Sequence, residues 1–309
     1  MLNILFAALN ESWQDYEVPL TEALAEAGIA ANLATDIDPS EVDYMVYAPN
    51  STVQDFTPFT RLKAVLNLWA GVEAVAGNPT LKVPLARMTD EGMSEGMSDY
   101  VIAHIMRYHV GLDAHVTNPD RVWDDTPPPL ARHRTVGFLG IGALGGGCAQ
   151  AAARLRFKVL GWSRSPKELR DVTTYSGRDG LKEVLSQSEI VVLLMPSTPA
   201  TQNTLNAETL SWLPRGARII NPGRGPLIDD AALLAALDSG QVGHATLDVF
   251  RTEPLPLDDP YWAHPNVTVT PHIASTTRPD LASRRVVENI RRNEAGEPMI
   301  DIVDIAAGY

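Results

Sequence analysis

The feature that most constrains this chain is Gly140-Ile141-Gly142-Ala143-Leu144-Gly145. It follows an apolar run, Thr135–Leu139, and opens a helical stretch of small residues that continues to Arg156. Glycines at this spacing, between a strand and a helix, have separate tasks. Gly140 allows a tight turn, Gly142 lets a pyrophosphate approach the backbone, and Gly145 permits close packing of helix on strand. Ala143 and Leu144 fall in the first helical turn, whose free N–H groups and positive dipole end suit phosphate. The motif predicts a Rossmann-type, doubly wound parallel sheet that binds a dinucleotide.

The next apolar run, Lys158–Trp162, leads into Ser163-Arg164-Ser165. Sheets that bind NAD place an Asp or Glu here to accept from the ribose hydroxyls. Ser163 offers no anion and does not repel a phosphate. Arg164 presents a planar fork that matches a 2′-phosphate, and Ser163 and Ser165 add hydroxyl donors. The loop therefore predicts NADPH in preference to NADH.

The chain's 309 residues suffice for two domains of about 150 residues each. Strand-like runs at Leu2–Ala8, Tyr44–Ala48 and Ala64–Trp69, and a helix over Pro19–Ala27 closed by Gly28, give the first third an α/β pattern. A single helix is predicted over Asp99–Val116, ended by Asn118-Pro119 and followed by the stiff acidic loop Asp124–Pro129. Six strands are then expected, at Thr135–Leu139, Lys158–Trp162, Ile190–Leu194, Ala217–Ile220, Ala245–Val249 and Val267–Thr270, with a helix at Ala231–Asp238 before Gly240. A last helix, about Arg278–Asn293, is expected to return to the first domain. The resulting division is a dinucleotide domain over 99–274 and a substrate domain over 1–98 with 275–309.

Three segments at predicted carboxyl ends of strands carry groups suited to carbonyl reduction: Asn221-Pro222-Gly223-Arg224-Gly225, Asp248–Pro254 and Thr270–Ser275. Ligands of open α/β sheets bind at such ends. Reducing a 2-keto acid needs a cation for the carboxylate and ketone, and a proton donor for the developing alkoxide. It also needs a group that keeps the donor charged. Arg224, His272 and Glu253 fit these roles in that order, since a carboxylate beside an imidazolium stabilises its charged form.

On these residues the chain resembles the D-isomer-specific 2-hydroxyacid dehydrogenases, and within them the A-type glyoxylate/hydroxypyruvate reductases. The likeness spans essentially the whole sequence. Further carriers are His264-Pro265-Asn266-Val267, Thr277-Arg278-Pro279 and the ending Gly308-Tyr309. The resemblance implies two α/β lobes, the second flavodoxin-like, in a homodimeric reductase of small 2-keto acids; a cytoplasmic location is the default expectation for a chain with neither a signal peptide nor a membrane span. It implies that Arg224 binds substrate and that Glu253 and His272 form the acid–base pair. Asp248 would lie near the nicotinamide carboxamide. Met195, Pro196, Thr201, Asn221, Pro222, Gly223 and Ala274 would line the cofactor. The loop Trp69-Ala70-Gly71-Val72 would hold the substrate carboxylate by its N–H groups. Trp69, Pro222 and Tyr47 depart from what many members carry at these positions, which bears on substrate size. Two other readings stay open: a dehydrogenase of larger 2-hydroxy acids, and a dinucleotide-sensing binding protein.

A net charge of −13 with a pI near 4.9 argues against nucleic acid or an anionic membrane as partner. The N-terminus lacks a basic leader, and no apolar run reaches the roughly 18 residues of a membrane span. The one cysteine, Cys148, allows no intrachain disulfide and reads as a small core residue. His104, His109 and His115 are predicted on one helix at spacings unlike a metal pair, as helix or dimer-surface residues. No metal site is expected.

Overall fold

The computed structural model describes residues 1–305, so Gly308-Tyr309 lies outside the described residues. The chain forms two compact units, Met1–Met93 with the chain from Thr277 onward, and Ser94–Thr276.

The first unit is built on five parallel strands, β1 (Leu2–Ala7), β2 (Ala31–Ala34), β3 (Tyr44–Tyr47), β4 (Ala64–Asn67) and β5 (Leu85–Ala86), in the order β2-β1-β3-β4-β5. That order is the flavodoxin-like one. Strands β3 and β4 are buried along their whole length, as strands covered on both faces are. Helix α1 (Asn10–Glu26) packs against α9 (Pro279–Glu294). The sequence predicts α1 from Pro19 on; the helix instead begins at Asn10 and contains Pro19. An interior proline costs about 3 kcal/mol. Burial of Tyr16, Leu20, Ala23 and Leu24 on one face offsets it, as do the rings of Trp13 and Tyr16 against Phe6. The end of α9 is tied to the sheet by Tyr44, whose hydroxyl donates to Glu294 Oε1 (2.5 Å) and accepts from Asn293 (2.7 Å).

The second unit holds β6 (Thr135–Leu139), β7 (Lys158–Ser163), β8 (Thr173–Ser176), β9 (Ile190–Leu193), β10 (Ala217–Asn221), β11 (Val242–Leu247) and β12 (Val267–Val269). All are parallel, in the order β12-β11-β10-β9-β6-β7-β8. The sheet has seven strands where the sequence predicts six. The added one, β8, is a short Thr-Thr-Tyr-Ser edge with no buried residue, so it lacks the apolar signal of an interior strand. Strand order reverses between β6 and β9, which makes their carboxyl ends the crevice for ligand.

The predicted helix Asp99–Val116 is corrected at both ends. Helix α3 runs Glu91–His109, and Gly111, at φ 67°, separates it from α4 (Leu112–Val116). His104 and His109 lie on α3, where His109 is buried and His104 half-buried. His104 lies 3.4 Å from the Thr246 hydroxyl, and His109 packs edge-on against Phe157. Burial lowers the pKa of both. Cys148 is fully buried on α5 (Ala143–Arg154), and burial pushes its thiol up to about 11.

Candidate active site

The glycine motif forms the turn between β6 and α5. Gly140 has φ 98°, and a Cβ there would lie 2.6 Å from Leu194 O and 2.9 Å from Met195 Cγ. The loops that follow β6 and β9 therefore touch at the crevice. A Cβ on Gly145 would stand 1.9 Å from Gly140 O, so helix and strand meet closely there. At Gly142 a Cβ would meet nothing within 4 Å. Gly142 is the N-cap of α5, and no side chain caps the helix. Open space above an uncapped helix N-terminus fits a pyrophosphate.

At the end of β7, Ser163 is buried and its hydroxyl donates to Ser165 O at 2.7 Å. Its proton is thus spent inside the turn, not offered to ligand as the sequence suggests. Arg164 and Ser165 are exposed, and no carboxylate occurs from Ser163 to Lys167. Met195 is buried against the Gly140 turn. Thr201 donates to Pro196 O (2.7 Å) and accepts from Thr198 N (2.8 Å), shaping the loop after β9.

Strands β10, β11 and β12 are neighbours, so the loops at their carboxyl ends stand side by side. Asn221 is buried. Its amide donates to Arg224 O (3.0 Å) and accepts from Gly223 N (3.2 Å), closing the turn through Pro222 that presents Arg224. The Arg224 guanidinium donates to Gly223 O at 2.7 Å. A Cβ on Gly225 would fall 2.1 Å from the Phe250 carbonyl carbon, so this loop presses directly on the one that carries Glu253. Gly225→Ala is expected to force the two loops apart, at the roughly 1–3 kcal/mol typical of overpacking. A lowered melting temperature with a matching loss of kcat would register it; an unchanged pair would show that the contact yields.

His272 and Glu253 form the centre of this end. The carboxylate accepts from His272 Nδ1 at 2.7 Å through Oε2 and from Phe250 N at 2.8 Å through Oε1. An ionised carboxylate only accepts, so Nδ1 carries its proton and Nε2 is the nitrogen turned to a ligand. The His272 side chain is 51% exposed. Its backbone is in the left-handed region, φ 54°, which a non-glycine residue holds only under constraint. The constraint is Asp248, fully buried, whose carboxylate accepts from Ile273 N and Ala274 N at 2.9 Å each. Asp248 therefore acts from beneath the His272 turn, and Ala274 is buried over it.

In the first unit, buried Asn67 donates to Trp69 O (2.8 Å) and Gly71 O (3.2 Å). With the carbonyls turned inward, the N–H groups of Ala70 and Gly71 find no protein acceptor among the described residues. Trp69 is exposed. Sequence reasoning missed Asn67, whose role is set by a turn two residues on. It also missed Tyr100 and Thr270, whose partners are remote in sequence. Among the described residues no cluster of His, Cys, Asp and Glu could hold a metal ion, and no helix is long and apolar enough to cross a membrane.

Residues 101–274 match the family described as D-isomer specific 2-hydroxyacid dehydrogenase, NAD binding domain. The glyoxylate/hydroxypyruvate reductase A of Yersinia enterocolitica is 40% identical over 256 residues, covering 80% of this chain and 82% of the relative. That of Serratia proteamaculans is 34% identical over 100% of both. A D-isomer specific 2-hydroxyacid dehydrogenase from Xanthobacter autotrophicus, solved with NADPH and MES, is 41% identical, covers 99% of each chain and superposes with a TM-score of 0.93. An NADPH-dependent glyoxylate/hydroxypyruvate reductase from Sinorhizobium meliloti, solved with NADP and sulfate, is 32% identical over 100% of both, with a TM-score of 0.85. The paired loops, the glycine turn and these likenesses agree: the chain belongs to the D-isomer specific 2-hydroxyacid dehydrogenase family.

Proposed function

We propose that this protein reduces small 2-keto acids with NADPH, glyoxylate to glycolate and hydroxypyruvate to glycerate. The observation that carries the reading is the 2.7 Å pair of His272 Nδ1 and Glu253 Oε2 beside the Arg224 loop. NADPH, when bound, supplies the hydride. Arg224 holds the substrate carboxylate and polarises the ketone. His272 supplies a proton from Nε2 to the developing alkoxide, and Glu253 keeps that imidazole aimed. The loop Trp69–Gly71 is assigned to the substrate carboxylate through its unpaired N–H groups. Residues 1–98 with 275–309 serve as the substrate domain and 99–274 as the cofactor domain.

The turn of Gly140, Gly142, Ala143, Leu144 and Gly145 takes the pyrophosphate, and Arg164 takes the 2′-phosphate. A charge-assisted contact of this kind contributes about 1.5–3 kcal/mol, or about 10- to 150-fold in discrimination. Wild-type kcat/KM at low salt is expected to favour NADPH over NADH within that range, and Arg164→Ala to raise KM for NADPH while leaving NADH nearly unchanged. Equal kcat/KM for the two cofactors would refute the assignment. A panel of glyoxylate, hydroxypyruvate, pyruvate and phenylpyruvate tests the substrate: the first two should lead, and turnover of none of them would refute the proposed reaction.

The protein is further proposed to work as a homodimer in the cytoplasm. Leu112, Val116, Val122, Trp123 and Leu130 are all exposed, Trp123 at 93%. Large apolar side chains gathered in one short segment support burial against a second copy.

A further inference from the structure

Helix α3 packs on β11 and β12 through a polar seam, where layered α/β cores are ordinarily apolar. The two-residue period of a strand puts His244, Thr246 and Asp248 on one face at β11, and Thr268 and Thr270 on the same face at β12. Helix α3 meets them with Tyr100, His104 and Tyr108, one turn apart. The contacts are short: His244 Nε2 to Thr268 Oγ1 at 2.9 Å, Tyr108 Oη to Thr246 Oγ1 at 2.6 Å, and Tyr100 Oη to Thr270 Oγ1 at 2.7 Å. Thr270 also donates to Asp248 Oδ1 at 2.6 Å. A carboxylate only accepts, so the Thr270 proton is spent on Asp248 and the Tyr100 hydroxyl must donate to Thr270. The chain is directional, from Tyr100 to Thr270 to Asp248, and Asp248 in turn accepts the backbone N–H groups of Ile273 and Ala274.

We propose that Tyr100 and Thr270 are positioning residues, which fix the Asp248 carboxylate that clamps the His272–Ala274 turn and thereby set the place of the His272 imidazole. The inference rests on the reading of His272 as proton donor. Oδ1 of Asp248 holds two donors, Thr270 and Ile273 N, while Oδ2 accepts Ala274 N. Without the Thr270 hydroxyl, Oδ1 loses one donor and the carboxylate can turn away from the Ile273 N–H. The left-handed backbone of His272 then lacks part of what holds it. Tyr100 acts one link further back, keeping the Thr270 hydroxyl pointed at Asp248.

The experiment compares Thr270→Val, Thr270→Ser, Tyr100→Phe and the Thr270→Val/Tyr100→Phe pair in the full-length protein. Valine keeps the branched shape without the hydroxyl, and serine keeps the hydroxyl. Thr270→Val should lower kcat by about tenfold, the net worth of one hydrogen bond, with KM for NADPH little changed. Thr270→Ser should restore most of the loss. The pair should be no worse than Thr270→Val alone, because Tyr100 acts through Thr270. Wild-type kcat in Thr270→Val, an equal loss in Thr270→Ser, or additive losses in the pair would each overturn the proposal. A second readout needs no turnover: the ring ¹⁵N signals of His272, assigned against His272→Ala, should move in Thr270→Val and stay in Thr270→Ser. Unmoved signals in a folded Thr270→Val protein overturn the proposal. Moved signals in a protein that reduces none of the keto acids support the positioning chain and overturn the substrate reading instead.

Discussion

Replacing His272 by alanine is expected to lower kcat for keto-acid reduction by about 10²–10⁴-fold, the usual worth of a positioned general acid. The variant loses the exposed imidazole of the paired loops and its contact with a carboxylate, Glu253 at 2.7 Å. Reduction takes a proton from the imidazole and oxidation of the 2-hydroxy acid returns one, so the loss should appear in both directions of the reaction. NADPH binding, measured by fluorescence titration, should change little, since the glycine turn and the Arg164 loop are untouched. A folded variant with kcat near wild type in both directions would remove His272 from the chemistry.

The second large effect is expected at Arg224. Arg224→Lys keeps a positive charge but loses the planar, two-pronged donor set that matches a carboxylate. One charge-assisted hydrogen bond is worth about 1.5–3 kcal/mol, so kcat/KM should drop about 10- to 150-fold. The loss should appear as a higher KM together with a lower kcat, because the same guanidinium holds the carboxylate and polarises the ketone. Collapse of dinucleotide affinity at fixed substrate KM would instead move Arg224 to the cofactor.

The glycine turn was legible because its requirements are local: a left-handed Gly140, an open Gly142 and a crowded Gly145 answer to residues a few positions apart. Arg224, Glu253 and His272 were legible as chemistry and by their places after apolar strands. Helix α3 shows why other parts were hidden. Its first turns carry Gly92 and Gly96, and glycine is a poor helix former. A Cβ at Gly92 would lie 2.5 Å from Leu281 Cδ1, and one at Gly96 would lie 3.4 Å from Ser275 Oγ. Gly92 thus serves close packing against a segment nearly two hundred residues away, which no local window registers, whereas Gly96 would meet only ordinary contact. The same distance hid the bond from Tyr100 to Thr270. Pro19 misled in the opposite direction, as a helix start where tertiary burial carries the helix through.

The interrupted course of the first unit bears on how the protein is made. Helix α1 leaves the ribosome about 250 residues before its partner α9. The sheet β1–β5 stays without α9, and without the Tyr44–Glu294 tie, until the whole second unit has been made. The second unit is one continuous stretch and has all its strands beforehand. Contacts that close so long a loop form slowly. The nascent protein therefore carries a finished Rossmann-type unit beside an apolar, unfinished sheet, and that interval is when the chain is most exposed to aggregation and to chaperones.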